Sequence, residues 1–168
     1  MGSFSGMASA TRGFASNRLI EGDYIVRIDK AENFEARQTG EKYKITATIL
    51  AVTAGRHKEG EVVTVMYSKN HGLDQYLSNI KSFIAGVLNL PDPEVDEKMV
   101  LRTLDPEQAM SGLVTRVRAI ERDSKKKDDK TGTPFQYSVY TWAPFLQPEE
   151  IATAIGAERV KRFFPSGL

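Results

Sequence analysis

The sequence predicts a mainly β fold, in which five strands form a small barrel. One helix is expected between the third and fourth strands, and another at the C-terminus. Two observations predict this arrangement. Five segments alternate apolar and polar residues with the period of two that half-buried strands show. Between the third and fourth segments, residues 71–88 place apolar side chains at the spacing of an amphipathic helix.

The alternation gives each predicted strand two distinct faces. The predicted strands are residues 24–30, 41–52, 61–68, 113–120 and 135–142. In the second strand, Lys42 and Lys44 point away from the expected core face. In the fourth, Arg116 and Arg118 share one face, opposite an apolar one. In the fifth, alternation separates Phe135 and Tyr137 from Tyr140 and Trp142, without showing which pair faces the core.

Three domains or segments are expected. Residues 1–18 have small polar side chains and no period, which indicates a disordered N-terminal tail. Residues 19–146 form the barrel domain, with a polar connection at residues 33–40 and a short helix around residues 94–101. Residues 147–168 form a C-terminal helical extension that starts with Pro148 at a first-turn position.

Composition excludes several classes of function. The chain has no cysteine and only two histidines, His57 and His71, so it has few candidate ligands for a zinc site and few candidate bases for a histidine-dependent triad. We assign surface or capping roles to both histidines and expect no cofactor and no enzymatic activity. No apolar run is long enough to span a bilayer and no signal peptide is recognisable. We therefore expect a cytoplasmic protein with no membrane partner.

The charge is unevenly distributed along the chain. Residues 91–110 contain six acidic and two basic residues, a local charge of −4 in a chain of net charge +1. The rest of the chain therefore carries +5 by difference. A separate positive surface is compatible with this distribution.

Residues 121–134 form a charged segment between the last two predicted strands. Its composition predicts a loop that projects into water, next to a strand rich in aromatic residues. Basic side chains that neutralise phosphates and rings that stack on bases are what a protein needs to hold a single nucleic-acid strand. Taken alone, the same segment also fits a solvated hairpin loop beside core aromatics.

The element order points to a particular barrel. Three strands, a helix and two strands is the order of the OB-fold, a five-stranded Greek-key barrel, although a β-sandwich or an α+β sheet can begin in the same way. The OB-fold binds oligonucleotides across its second and third strands, between the loops that follow strands one and four. The predicted nucleic-acid-binding residues are Arg37, Lys42, Lys44, Tyr67, Arg116, Arg118, Arg122, Lys125, Lys126, Lys127, Lys130, Phe135 and Tyr137.

A family resemblance covers roughly residues 22–142. The stretches GDYIVRIDKAENFEARQTGEKYKITATILAV, EGEVVTVMYSKN, LDQYLSNIKSFIAGVLNL and KKKDDKTGTPFQYSVYTW resemble phage-encoded single-stranded-DNA-binding proteins of OB-fold type. The resemblance implies binding and protection of single-stranded DNA during replication, recombination or repair in the host cytoplasm. Replication or recombination enzymes and further copies of the chain are the partners it implies. The ending ERVKRFFPSGL differs from the acidic tail by which many such proteins recruit enzymes.

One alternative function keeps the same barrel without nucleic acid. The protein would then be a protein–protein adaptor or a virion structural module. Its docking edge would be the C-terminal helix, through Phe163 and Phe164.

Overall fold

The computed structural model describes residues 17–127 and 129–168. The predicted disordered tail, apart from its last two residues, lies outside that range. The strands are β1 (Gly22–Ala36), β2 (Gly40–Gly55), β3 (Val62–Ser68), β4 (Val114–Lys127) and β5 (Pro134–Trp142). The helices are α1 (Leu73–Leu88), α2 (Glu97–Arg102), α3 (Pro148–Ile155) and α4 (Ala157–Phe163), with short 3₁₀ turns at Lys69–His71 and Asp92–Glu94.

The five strands form one antiparallel sheet in the order β3-β2-β1-β4-β5. This confirms the mainly β class, and α1 lies between β3 and β4 in the chain as predicted. Strands β3 and β5 are the two edges of the sheet. The edges approach each other, because the indole N–H of Trp142 on β5 donates to the hydroxyl of Tyr67 on β3 at 3.1 Å. The sheet is therefore strongly curved, as in a barrel-like fold.

The main core fills the concave side of this sheet, and α1 packs over it. Tyr76, Ile80, Phe83, Ile84 and Val87 of α1 are buried, whereas Leu73 and Leu77 at its start are about half exposed. Gly86 allows the close approach of α1 to β5, because a Cβ there would lie 2.6 Å from the Trp142 carbonyl oxygen. The Phe83 and Trp142 rings meet edge to face at 4.7 Å.

Residues 18–20 fill the seam between the two edge strands. The Leu19 N–H donates to the Thr64 carbonyl of β3 at 2.9 Å, and the Tyr140 hydroxyl of β5 donates to the Leu19 carbonyl at 2.7 Å. Arg18 forms a parallel bridge with Thr64, and the Leu19 side chain is 1% exposed. Arg18, which was predicted to end the free tail, is thus part of the fold, because its neighbour Leu19 closes the core.

The first two strands are longer than predicted. A register shift between Ile28 and Lys30 lets Ala31 return to the core, so β1 continues to Ala36. The predicted connection at residues 33–40 shrinks to a turn at residues 37–39. The polar composition of this segment predicts a loop, but Asn33–Ala36 pair with β2 up to the turn.

The C-terminal extension is two short helices separated by Gly156, where one helix was predicted. The side chain of Gln147 caps the start of α3 reciprocally with Glu150, and Pro148 occupies a first-turn position. Both helices pack on the outer face of the sheet, the side opposite the main core. A second apolar cluster forms there from Ile25, Leu50, Val114, Ile151 and Ile155. Within the described residues, no helix is long and apolar enough to cross a membrane.

Candidate nucleic-acid interface

Strands β4 and β5 form a two-stranded ribbon that extends beyond the body of the sheet. The pairing of β4 with β1 ends at Ala119 opposite Gly22, but β4 continues to Lys127 and remains paired with β5 as far as Pro134. Residues 121–127 of the predicted loop at residues 121–134 are therefore strand, and residues 129–131 form a turn before Gly132, which has φ 71°. The charged residues are held in register with the aromatic strand as far as Asp123, and a register shift follows between Asp123 and Lys127.

Alternation gives the ribbon one basic and aromatic face. The β4 arginines and the exposed rings of β5 point to the outer side of the sheet, because Val117, Ala119 and Trp142 point into the core. Phe135 and Tyr137 are 53% and 47% exposed, respectively. The residues on this outer face are Arg116, Arg118, Ile120, Arg122, Phe135, Tyr137, Val139 and Thr141.

The acidic residues of the paired strands lie on the opposite face of the ribbon. Glu121 and Asp123 alternate with the arginines along β4, opposite Ser138 and Gln136 of β5. The side chain of Glu121 lies 3.9 Å from the Arg18 guanidinium at the seam. The two faces of the ribbon therefore differ in charge, and the carboxylates of Glu121 and Asp123 do not point along the arginine row.

The three arginines of the row differ in their partners. The Arg118 Nε lies 2.8 Å from Asp23 Oδ1 on β1, and this carboxylate raises the pKa of the guanidinium further. Arg116 and Arg122 are exposed, and no carboxylate of the described residues lies within 4.0 Å of either. Two of the three arginines can accept an anion without first losing a protein partner.

Four lysines lie at the end of the ribbon that is distant from the sheet. Lys125, Lys126 and Lys127 end β4, and Lys130 lies in the turn; all four are exposed. Between Arg116 and Lys130 the sequence has seven basic and four acidic residues, a local charge of +3. Each lysine carries its charge on a flexible four-carbon stem, so the ammonium groups can reach phosphates at some distance from the backbone.

The remaining predicted cations lie at the other end of the sheet. Arg37 is exposed in the turn between β1 and β2, at the opposite end of β1 from the ribbon. Lys42 Nζ donates to Ser68 Oγ at 2.6 Å, and Lys44 Nζ lies 3.6 Å from Glu32 Oε2. Lys42 is therefore hydrogen-bonded and Lys44 is paired with a carboxylate within the fold, and neither adjoins the ribbon arginines along the sheet.

An open cleft of about 830 Å³ separates Lys42 and Lys44 from the acidic segment. Phe34 and Met66 line it and are 40% and 38% exposed, respectively, but the sequence interpretation missed both. The register shift in β1 moved Phe34 to the outer face. Met66 alternates with the buried Val65 and Tyr67, a signal that was present in the sequence. Glu32 and Asp105 also line the cleft, which makes it less favourable for phosphate than the ribbon.

Tyr67 is excluded from the interface. It is 8% exposed, its hydroxyl accepts the Trp142 indole N–H, and its ring meets Tyr140 edge to face at 6.4 Å. Burial also raises the pKa of its hydroxyl. A ring enclosed in this way has no free face for a base, so the prediction for Tyr67 is corrected to a core role.

His57 is buried as well, so of its two predicted roles, surface or capping, the surface role is wrong. Its Nε2 accepts the Ile20 N–H at 3.1 Å, and its Nδ1 lies 2.7 Å from Glu61 Oε2. The imidazole therefore ties the β2–β3 loop to the seam segment. Within residues 17–127 and 129–168, no group of histidine and carboxylate side chains is arranged to hold a metal ion.

The acidic and basic parts of the chain lie at different places on the sheet. The side chain of Gln108 bonds to both backbone groups of Ala31, and Ser111 Oγ donates to the Asp29 carbonyl. The acidic segment at residues 91–110 is therefore fixed on the second half of β1. The ribbon leaves the sheet at the other end of β1, which separates the two charges.

Comparisons with known proteins give no match, either to a family model or to a curated protein sequence. Functional conclusions therefore depend on the geometry above.

Proposed function

We propose that this protein binds single-stranded DNA through the outer face of the β4–β5 ribbon, with little sequence preference and without enzymatic activity. The observation that carries the proposal is the division of the ribbon. Arg116, Arg118 and Arg122 share one face with the exposed rings of Phe135 and Tyr137, while Glu121 and Asp123 face the other way.

The chemistry of that face suits a flexible polyanion with exposed bases. A guanidinium binds a phosphate through two parallel N–H groups, and it keeps its charge at any physiological pH. Exposed aromatic rings stack on unpaired bases of any identity, which gives affinity without sequence readout. Duplex DNA hides its base faces in the stack, so the rings favour a single strand.

The fold proposed for this function is an OB-type barrel. The strand order β3-β2-β1-β4-β5, the helix between β3 and β4, and the seam at residues 18–20 support it. We further propose the role implied by the resemblance to phage single-stranded-DNA-binding proteins, which is protection of single strands during replication or recombination. The alternative function, a protein–protein adaptor, would use Phe163 and Phe164 as its docking edge. Both side chains are half-buried against the second apolar cluster, so they are less available to a partner protein.

The decisive experiment is an anisotropy titration of a labelled oligo-dT of about 16 nucleotides at several salt concentrations. An external label is needed because Trp142, the only tryptophan, is 6% exposed and hydrogen-bonded to Tyr67. We expect binding whose log–log salt slope is about −0.7 per phosphate neutralised, and weaker binding of a duplex of equal length. An affinity for oligo-dT that does not change with salt concentration, or an equal affinity for duplex DNA, would refute the proposal.

A second experiment tests the lysines at the end of the ribbon. Replacing Lys125, Lys126, Lys127 and Lys130 by Ala should weaken oligo-dT binding and flatten its salt slope. The control replaces Lys69, Lys81 and Lys98, which belong to helical segments outside the ribbon. An unchanged slope in the ribbon variant would remove these lysines from the interface.

A further inference from the structure

The C-terminal helices are fixed to the same outer face of the sheet that carries the arginine row. Arg27 of β1 donates to the Phe163 carbonyl at 3.1 Å, and its guanidinium lies 5.9 Å from the centre of the Phe164 ring. Ile25, which is paired with Arg116 in the sheet, is buried under these helices. The row of ribbon arginines therefore begins at the edge of the helix pair.

Basic residues of α4 and of the β2–β3 loop meet at this edge. Arg159 and Arg162 both pair with Glu59 of the loop, Arg162 at 3.8 Å, so one carboxylate serves two guanidiniums. This pairing, chiefly with Arg159, holds the pKa of Glu59 below its usual range. Arg56 and Lys58 of the same loop and Lys161 of α4 are exposed, and no carboxylate of the described residues lies within 4.0 Å of their charged groups.

The loop also starts at the same end of the sheet as the ribbon, with only β1 between them. Gly22 of β1 pairs with Gly55 on one side and with Ala119 on the other. Two strand spacings, about 10 Å, therefore separate the start of the loop from β4.

We infer that a bound single strand continues from the ribbon onto a second phosphate-binding surface formed by Arg56, Lys58 and Lys161. This inference rests on the proposed function and extends it: α4 is a part of the DNA path and not a tail for recruiting proteins. Arg159 and Arg162 position the helix through Glu59, and the three exposed cations contact the phosphates.

The test compares short and long oligo-dT probes, of about 6 and about 16 nucleotides, on the full chain. The variant combines Arg56→Ala, Lys58→Ala and Lys161→Ala, which leaves the Glu59 pairing intact. We expect it to bind the short probe like the wild type, because the ribbon is unchanged. With the long probe it should lose the affinity gained from length, and its salt slope should be shallower by up to about 2.

The control variant combines Lys69→Ala, Lys81→Ala and Lys98→Ala, which removes the same charge elsewhere. If the triple variant binds both probes like the wild type, or if the control loses as much as the variant, the second surface is refuted and the ribbon proposal stands. If the wild type binds neither probe, the proposed function itself fails. Retained long-probe binding together with lost binding of a polyglutamate peptide would assign the surface to an acidic protein partner and overturn the inference.

Discussion

The two exposed rings of β5 give the most direct prediction, since they distinguish stacking from charge. Phe135→Ala and Tyr137→Ala each remove a ring from the outer face of the ribbon. Both residues are about half exposed, and neither belongs to the main core or to the second cluster. Their removal should therefore change the free energy of unfolding by no more than about 0.5 kcal/mol.

The loss in binding is expected to be much larger than the loss in stability. A ring that stacks on one base contributes about 1–3 kcal/mol to binding of single strands. Because about 1.4 kcal/mol corresponds to a tenfold change in the dissociation constant, each substitution should weaken oligo-dT binding by about 5- to 150-fold. No charge is removed, so the salt slope should stay at its wild-type value.

Anisotropy titrations at three salt concentrations and a urea unfolding curve measure both quantities. Leu77→Ala is the matched control, because Leu77 is 53% exposed on α1, away from the ribbon. It should leave both binding and unfolding unchanged. Binding of both ring variants within twofold of the wild type would refute stacking on this face, and a changed salt slope would mean that the ring positions an arginine instead.

Three other contacts give predictions that separate stability from binding. Leu19→Ala removes a side chain that is 1% exposed in the seam, and should lower the free energy of unfolding by about 2–5 kcal/mol in urea; a loss below 0.5 kcal/mol would contradict the closing role of the seam. Asp23→Asn removes the carboxylate beside Arg118, so oligo-dT should bind more tightly at an unchanged urea midpoint, whereas weaker binding would exclude this arginine. The ion pair with Arg159 lowers the pKa of Glu59, so its stabilisation is present at neutral pH and is lost as the pH falls through that lowered value. The protection factors of the α4 amides, corrected for the intrinsic pH dependence of exchange, should therefore fall in acid for the wild type, with a smaller change for Glu59→Gln; equal changes would exclude the pair as the cause.

Local periodicity was sufficient for the helix and for the positions of the five strands. The apolar positions of α1 match the buried or partly buried ones except in its first two turns, where Leu73 and Leu77 are about half exposed. Alternation also predicts the two faces of β3, because Val63 and Val65 have the same parity as the buried Tyr67. The assignment of Tyr67 to the interface overlooked that parity.

Contacts between distant segments could not be predicted in the same way. Arg27 meets Phe163 across 136 positions, and Tyr140 meets Leu19 across 121. Leu19 shows no periodicity because neither of its neighbours, Arg18 and Ile20, belongs to the core. The docking of α3 and α4 and the closure of the seam both depend on such contacts, and local alternation contains no information about them.

The ribbon shows why a highly charged segment need not be a loop. From Arg116 to Asp123 the chain alternates without a break, but the high charge after Ile120 suggested that the strand had ended. A projecting ribbon has solvent on both faces, so its strands need no apolar side and are held by backbone pairing with a partner rich in aromatic and β-branched residues. In such a ribbon, alternation sorts charges by sign instead of sorting apolar from polar residues. It is this sorting, with Arg122 on one side and Glu121 and Asp123 on the other, that turns a nearly neutral protein into one with a cationic face.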